Sequence, residues 1–159
     1  MPDASEAPAL RHVFVYGTLR AGGSNDINRL RPEPCFIGSA TIMGTLYDLG
    51  PYPGLRLDGI DRVEGEIYAV TECVVRTLDA LEEVRSDDSG EYVARTVDVA
   101  LDGRILRCLL YEIHPSRILD RASIRGGDWL LHLEQRAFHD QAEAPTMRNS
   151  ALLQRRKIS

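Results

Sequence analysis

The sequence predicts an α+β domain in which a strongly bent sheet, or a small barrel of bent strands, is accompanied by two helices. Three observations support this. The β-forming segments are short and several carry an interior glycine, as at Gly44 and Gly65, which marks a bulge or a close backbone approach. Tyr92 to Leu101 and Arg104 to Ile113 flank Asp102-Gly103, a pair preferred in the type I′ turn of a hairpin. Only two stretches show helical spacing, one from Thr71 to Val84 and one beginning near Asp128.

The elements follow in order. Val13 to Tyr16 is an apolar strand that stops at Tyr16-Gly17-Thr18-Leu19, leaving backbone N–H groups at its end that suit a small anion such as a carboxylate. Gly22-Gly23-Ser24-Asn25 is a loop. Ala40 to Asp48 reads as a strand, Gly50-Pro51-Tyr52-Pro53-Gly54 as a turn, and Val63 to Val70 as the next strand. Val74, Val75, Leu78 and Leu81 recur at helical spacing, with Glu72 placed to favour the helix dipole. The hairpin comes next. Gly126-Gly127 then breaks the chain before the second helix, which runs through Trp129, Leu130, Leu133 and Phe138. Residues 1–10 and 141–159 read as tails around one domain at 11–140, and Arg155-Arg156-Lys157 makes the last of them basic.

Composition narrows the function classes. A chain of 159 residues with 43% apolar and 27% charged residues is sized for one globular core. A net charge of −5 argues against nucleic acid as a partner, which calls for a basic surface. No apolar run reaches the ~18 residues that span a bilayer, and Met1 to Ala9 has no signal-peptide pattern. Cys35, Cys73 and Cys108 are odd in number and widely spaced, which fits reduced thiols in a cytosolic protein and small apolar roles for Cys73 and Cys108. His12, His114, His132 and His139 lack metal-ligand spacing, and the glycine-rich loop lacks the lysine of a phosphate-binding loop.

One carboxylate stands out. At about 100° per residue, the stripe of Val74, Val75, Leu78 and Leu81 is centred roughly 50° from Glu82 and roughly 150° from Glu83. Glu82 is therefore directed to the protein and Glu83 to water. A carboxylate beside an apolar face has its pKa raised toward neutrality, which suits a general acid/base. A boundary glutamate paired with Arg85 or Arg95 satisfies the same pattern.

Five segments in order, Val13-Phe-Val-Tyr-Gly-Thr-Leu-Arg20, Gly44-Thr-Leu-Tyr-Asp-Leu-Gly50 with Tyr52-Pro-Gly-Leu55, Gly65-Glu-Ile-Tyr68, Leu78-Asp-Ala-Leu-Glu82 and Gly127-Asp-Trp129, resemble the γ-glutamylcyclotransferase-like family over roughly residues 11 to 130. The resemblance implies a small closed β-barrel of mixed strands with helices outside. It also implies release of 5-oxoproline from a small γ-glutamyl amide by attack of the substrate's own α-amino group, with no metal or cofactor. Glu82 matches the family's catalytic glutamate, and Tyr16, Gly17, Thr18 and Leu19 match the turn that holds the substrate's carboxylate. Gly17 is expected to keep the ligand's approach clear. Asn25 matches a common family asparagine and equally suits a loop-stabilising role. Tyr92 and Tyr111 are candidate pocket walls, for which barrel packing is the competing role.

This chain departs from many relatives by carrying Glu83 after the catalytic position and an acidic loop at Ser86-Asp87-Asp88-Ser89-Gly90. Such a rim would favour a cationic leaving amine. A binding protein with the same pocket and no turnover, and an interaction module whose tails carry the biology, are the alternatives to an enzyme. Oligomeric state and the leaving amine are not specified by these patterns.

Overall fold

Among the described residues there are five strands and two helices: β1 (Leu10–Val15), β2 (Cys35–Asp48), β3 (Pro53–Thr71), α1 (Glu72–Leu81), β4 (Tyr92–Leu101), β5 (Arg104–Ile113) and α2 (Trp129–Glu143). They come from a computed structural model that describes residues 10–82 and 90–143, with side chains described as far as residue 138. Single 3-10 turns at Ile27–Arg29 and Pro115–Arg117 complete the described elements.

The strands form one mixed sheet in the order β2-β3-β1-β5-β4. β1 is central. It runs antiparallel to β3 from Leu10↔Thr71 to Val15↔Glu66 and parallel to β5 at His12↔Cys108 and Val13↔Leu109. The hairpin lies where the sequence places it, with Asp102 at φ 50 and Gly103 at φ 79, the left-handed pair that a type I′ turn requires. Gly44 falls at a register shift between β2 and β3, in keeping with a bulge.

The expected closed barrel is corrected. The hydrogen-bonded order ends at β2 on one side and β4 on the other, so the sheet is open. The edges meet through a side chain instead of a ladder: a Cβ built at Gly38 of β2 falls 3.0 Å from Leu101 Cδ2 of β4. An isobutyl group between two backbones holds them beyond the ~4.8 Å spacing of paired strands. β3 is also far longer than the expected Val63 to Val70, because Pro53 and Gly54 already pair with Asp48 and Tyr47 of β2. Cys73 is exposed rather than buried, whereas Cys108 is buried.

Two cores flank the sheet. On one face Val13, Val15, Tyr68, Val70, Leu109, Tyr111 and Ile113 pack against Val74, Val75 and Leu78 of α1. On the other, Phe14, Tyr16, Leu46, Leu55, Val63, Ile67 and Leu110 surround Trp129 of α2. Strand alternation explains the split, because successive side chains of β1 point to opposite faces. No helix among the described residues is long and apolar enough to cross a membrane.

α2 is held by one carboxylate. Arg136 Nη1 lies 3.1 Å from both oxygens of Asp48, and His132 Nε2 lies 2.7 Å from Asp48 Oδ2. Arg136 also sits over the Trp129 ring, 5.7 Å from its centroid. Burial pushes the Asp48 carboxyl up, but hydrogen bonds from His132, the Gly50 N–H and Arg136 outweigh it and hold its pKa below the ordinary 3.8. A depressed carboxyl contributes stability that is full above its unfolded value and is lost as pH falls through its folded one. The Tm advantage of wild type over Asp48→Asn is therefore expected to be constant above about pH 5 and to shrink in more acid solution. An advantage unchanged down to pH 2 would remove this account of the clamp.

Candidate active site

At the end of β1 the chain leaves the sheet into a tight turn, and three of its carbonyls are bonded by residues that follow. Gly17 O accepts from Arg20 N at 3.0 Å, Thr18 O from Asn25 N at 2.9 Å and Leu19 O from Ile27 N at 2.9 Å. The N–H and C=O of a trans peptide point in opposite directions, so the N–H groups of Thr18 and Leu19 are aimed away from that loop. Arg20 then fixes the far side of the turn. Its Nε lies 2.7 Å from Glu66 Oε2 of β3 and its Nη1 lies 3.0 Å from Asp128 Oδ1, while Ala21 N–H donates to Glu66 Oε1 at 3.0 Å. Asp128 in turn accepts from Leu131 N–H at 3.1 Å, capping α2.

α1 delivers the carboxylate. Thr71 Oγ1 accepts from Val74 N and starts the helix, and Glu82 ends it as the C-cap, with its N–H donating to the carbonyls of Ala80 and Leu78. The helix therefore stops three residues before the expected Val84, which lies outside the described residues. Glu82 is 2% exposed, as its phase on the helix predicts. Of its candidate salt-bridge partners, Arg95 instead bonds Glu112 Oε1 at 2.9 Å, and Arg85 lies outside the described residues. So do Glu83 and Ser86 to Ser89 of the acidic loop.

A pocket lined by Phe14, Val15, Tyr16, Gly17, Leu19, Glu82 and Tyr111 joins helix and turn. Its void is about 270 Å³, counting the open mouth. It is narrow, with mostly apolar walls and one carboxylate. Thr18 and Asn25 are not among its walls. Thr18 is buried in the turn, and Asn25 Nδ2 lies 3.4 Å from Thr18 Oγ1, so Asn25 braces the loop. Gly17 has a different reason for lacking a side chain from the one expected: a Cβ there falls 2.7 Å from Pro53 Cγ, so the proline ring of β3, not a ligand, occupies that space.

The three tyrosines are neutral hydroxyls with assigned partners. Tyr16 donates to Tyr111 O at 2.6 Å and accepts from Leu55 N–H at 3.3 Å, tying β1 to β5 and β3. Tyr92 donates to Pro53 O at 2.7 Å and is not a pocket wall. Tyr111 donates to Asp79 Oδ1 of α1 at 2.7 Å. Burial and then the Glu82 charge push Tyr16 well above its ordinary pKa. Burial, followed by Tyr16, Glu82 and Glu91, does the same to Tyr92. Tyr111 is raised by burial and then by its bond to Asp79, with Glu82 contributing as well. Glu82 is thus felt by all three rings.

Several residues in and around the site carry no signal in the sequence. Phe14 and Val15 look like any strand residues. Glu91, 2% exposed, accepts from the Tyr52 hydroxyl at 2.5 Å. Asp79 does carry a signal, since it lies three positions before Glu82 and shares that side of the helix. No group of three or more potential metal-ligating side chains occurs among the described residues.

The geometry has counterparts. Residues 13–131 match the family described as "Gamma-glutamyl cyclotransferase, AIG2-like". A Vibrio cholerae protein named "Putative gamma-glutamylcyclotransferase" is 35% identical over 125 residues, covering 74% of this chain and 93% of its own. The "Gamma-L-glutamyl-butirosin B gamma-glutamyl cyclotransferase" of Niallia circulans is 41% identical over 73 residues, 45% of this chain and 46% of its own. The crystal structure of a mouse AIG2-like protein superposes with a TM-score of 0.60 at 26% identity, covering 76% of this chain and 88% of that one. With a five-stranded sheet, two helices and a matched stretch that contains the turn, Glu82 and Trp129, this chain belongs to the γ-glutamyl cyclotransferase, AIG2-like family.

Proposed function

We propose that this chain is a γ-glutamyl cyclotransferase that converts a small γ-glutamyl amide to 5-oxoproline and a free amine, with Glu82 as the proton shuttle. The observation that carries the reading is the burial of Glu82 in the same narrow pocket as the Tyr16-Gly17-Leu19 turn. The Thr18 and Leu19 N–H groups, turned away from the loop behind them, hold the substrate's carboxylate. The substrate folds so that its α-amino nitrogen meets its own γ-carbonyl carbon. A C–N bond forms as Glu82 takes a proton from that nitrogen. The tetrahedral centre collapses with cleavage of the original amide C–N bond, and Glu82 returns the proton to the departing amine. Charge and atoms balance without an outside reactant, and most of the barrier is lowered by holding the two ends of one molecule together.

The test is 5-oxoproline release from a panel of γ-glutamyl amines and dipeptides. Release from at least one member supports the reading, and the preferred member identifies the amine. Tight binding of panel members with no release would favour a binding protein.

The turn carries a second expectation. Gly17→Ala forces a methyl against the Pro53 ring, and such overpacking costs about 1–3 kcal/mol. Because the displaced backbone is the one that grips the carboxylate, 5-oxoproline affinity is expected to fall along with the urea midpoint. An alanine variant that binds as wild type does would detach the turn from ligand binding.

A further inference from the structure

Tyr111 is pinned at both ends. Its carbonyl accepts the Tyr16 hydroxyl at 2.6 Å, and its own hydroxyl donates to Asp79 Oδ1 at 2.7 Å. The residue is 4% exposed and lines the pocket beside Glu82. Asp79 lies on the last turn of α1, three residues before Glu82, so one helical turn supplies both carboxylates.

A phenol has one proton to give. With that proton committed to Asp79, the Tyr111 oxygen has only acceptor capacity left, and donating to a carboxyl oxygen polarises it further as an acceptor. The other tyrosines are differently placed. The Tyr16 oxygen already donates to Tyr111 O and accepts from Leu55 N–H, while Tyr92 donates to Pro53 O and is not a pocket wall. Among the described wall residues, Tyr111 and Glu82 are therefore the side chains able to accept from a donor in the pocket. A γ-glutamyl amide brings one strong donor to this place, its α-amino group.

We propose that Tyr111, oriented by Asp79, is the subsite for the substrate's α-amino group, so that the Tyr111 oxygen positions the attacking nitrogen while Glu82 removes its proton. Asp79 acts through Tyr111 and is a positioning residue. This rests on the cyclotransferase reading above. Burial and the bond to Asp79 also raise the Tyr111 pKa, so the phenol stays protonated at neutral pH and remains the donor in that bond. The inference explains why a buried tyrosine on a strand bonds to the helix that bears the proton shuttle.

The test compares two ligands in a Glu82→Gln background, where turnover does not confuse binding. One is a γ-glutamyl alkylamide, and the other is the matching glutaryl alkylamide, which lacks the α-amino group. Calorimetry should show the first binding about tenfold or more tighter, the scale of one hydrogen bond to a charged donor. Adding Tyr111→Phe should collapse that ratio to near one by weakening only the amino-bearing ligand. Asp79→Asn, which leaves the ring in place, should reduce the ratio part of the way. A ratio that survives both substitutions overturns the subsite while leaving the cyclotransferase reading intact. Failure of both ligands to bind the Glu82→Gln protein, with 5-oxoproline also unbound, overturns the cyclotransferase reading itself. A loss of structure alone would weaken both ligands equally and leave the ratio unchanged, which counts against the proposal.

Discussion

Glu82→Gln is expected to lower kcat for 5-oxoproline release by about 10²–10⁴-fold, the usual contribution of a positioned acid/base. The substitution keeps the shape of the side chain, and the amide fits the same 2%-exposed site at the end of α1. What it removes is the ability to take a proton from an ammonium and hand it to an amine. Product affinity should change little, because in the proposed reading the turn, and not Glu82, holds the carboxylate. The measurement is steady-state release from the best panel member, with 5-oxoproline binding as the control for a folded pocket. A variant that retains turnover within a few-fold of wild type would transfer the proton shuttle to another group, and Glu91 would be the next candidate.

The second large effect is expected at Arg20. Its side chain is 13% exposed and that of Glu66 is 9% exposed, so the pair between them is largely shielded from water. Arg20→Ala leaves the Glu66 carboxylate buried with the Ala21 N–H as its remaining contact among the hydrogen bonds described above. Breaking such a pair from one side costs about 3–5 kcal/mol. For a chain of this size that corresponds to a Tm about 6–20 °C lower. Arg20→Lys should not recover the loss, because one ammonium cannot reach Glu66 and Asp128 in the forked geometry that the guanidinium uses. Thermal unfolding of the two variants checks this, and a lysine variant as stable as wild type would reduce the cluster to simple charge balance.

That cluster also explains a pattern in the sequence. Arg20 follows the turn motif, Glu66 sits in Gly65-Glu-Ile-Tyr68, and Asp128 sits in Gly127-Asp-Trp129. Three of the five segments that carried the resemblance meet around one guanidinium. Their order along the chain was visible, whereas their common purpose was not, because 108 residues separate the ends of the Arg20–Asp128 contact.

Local physics was legible in the amino-acid string. The Asp102-Gly103 turn, the ends of β4 and β5 and the inward phase of Glu82 all depend on neighbours within a few residues, and the structure has them where the sequence puts them. Non-local geometry decided the remainder. Whether β2 and β4 close into a barrel depends on how the Leu101 side chain sits against Gly38 across the molecule. Gly17 is required by Pro53, a residue from another strand. Asn25 and Tyr92 share a region with the pocket but spend their polar atoms on the scaffold. The direction of the Tyr111 proton, toward Asp79 on a separate helix, is set only once β5 and α1 pack together. Periodicity along a chain specifies which way a side chain leaves its own element, and tertiary packing alone specifies what it meets there.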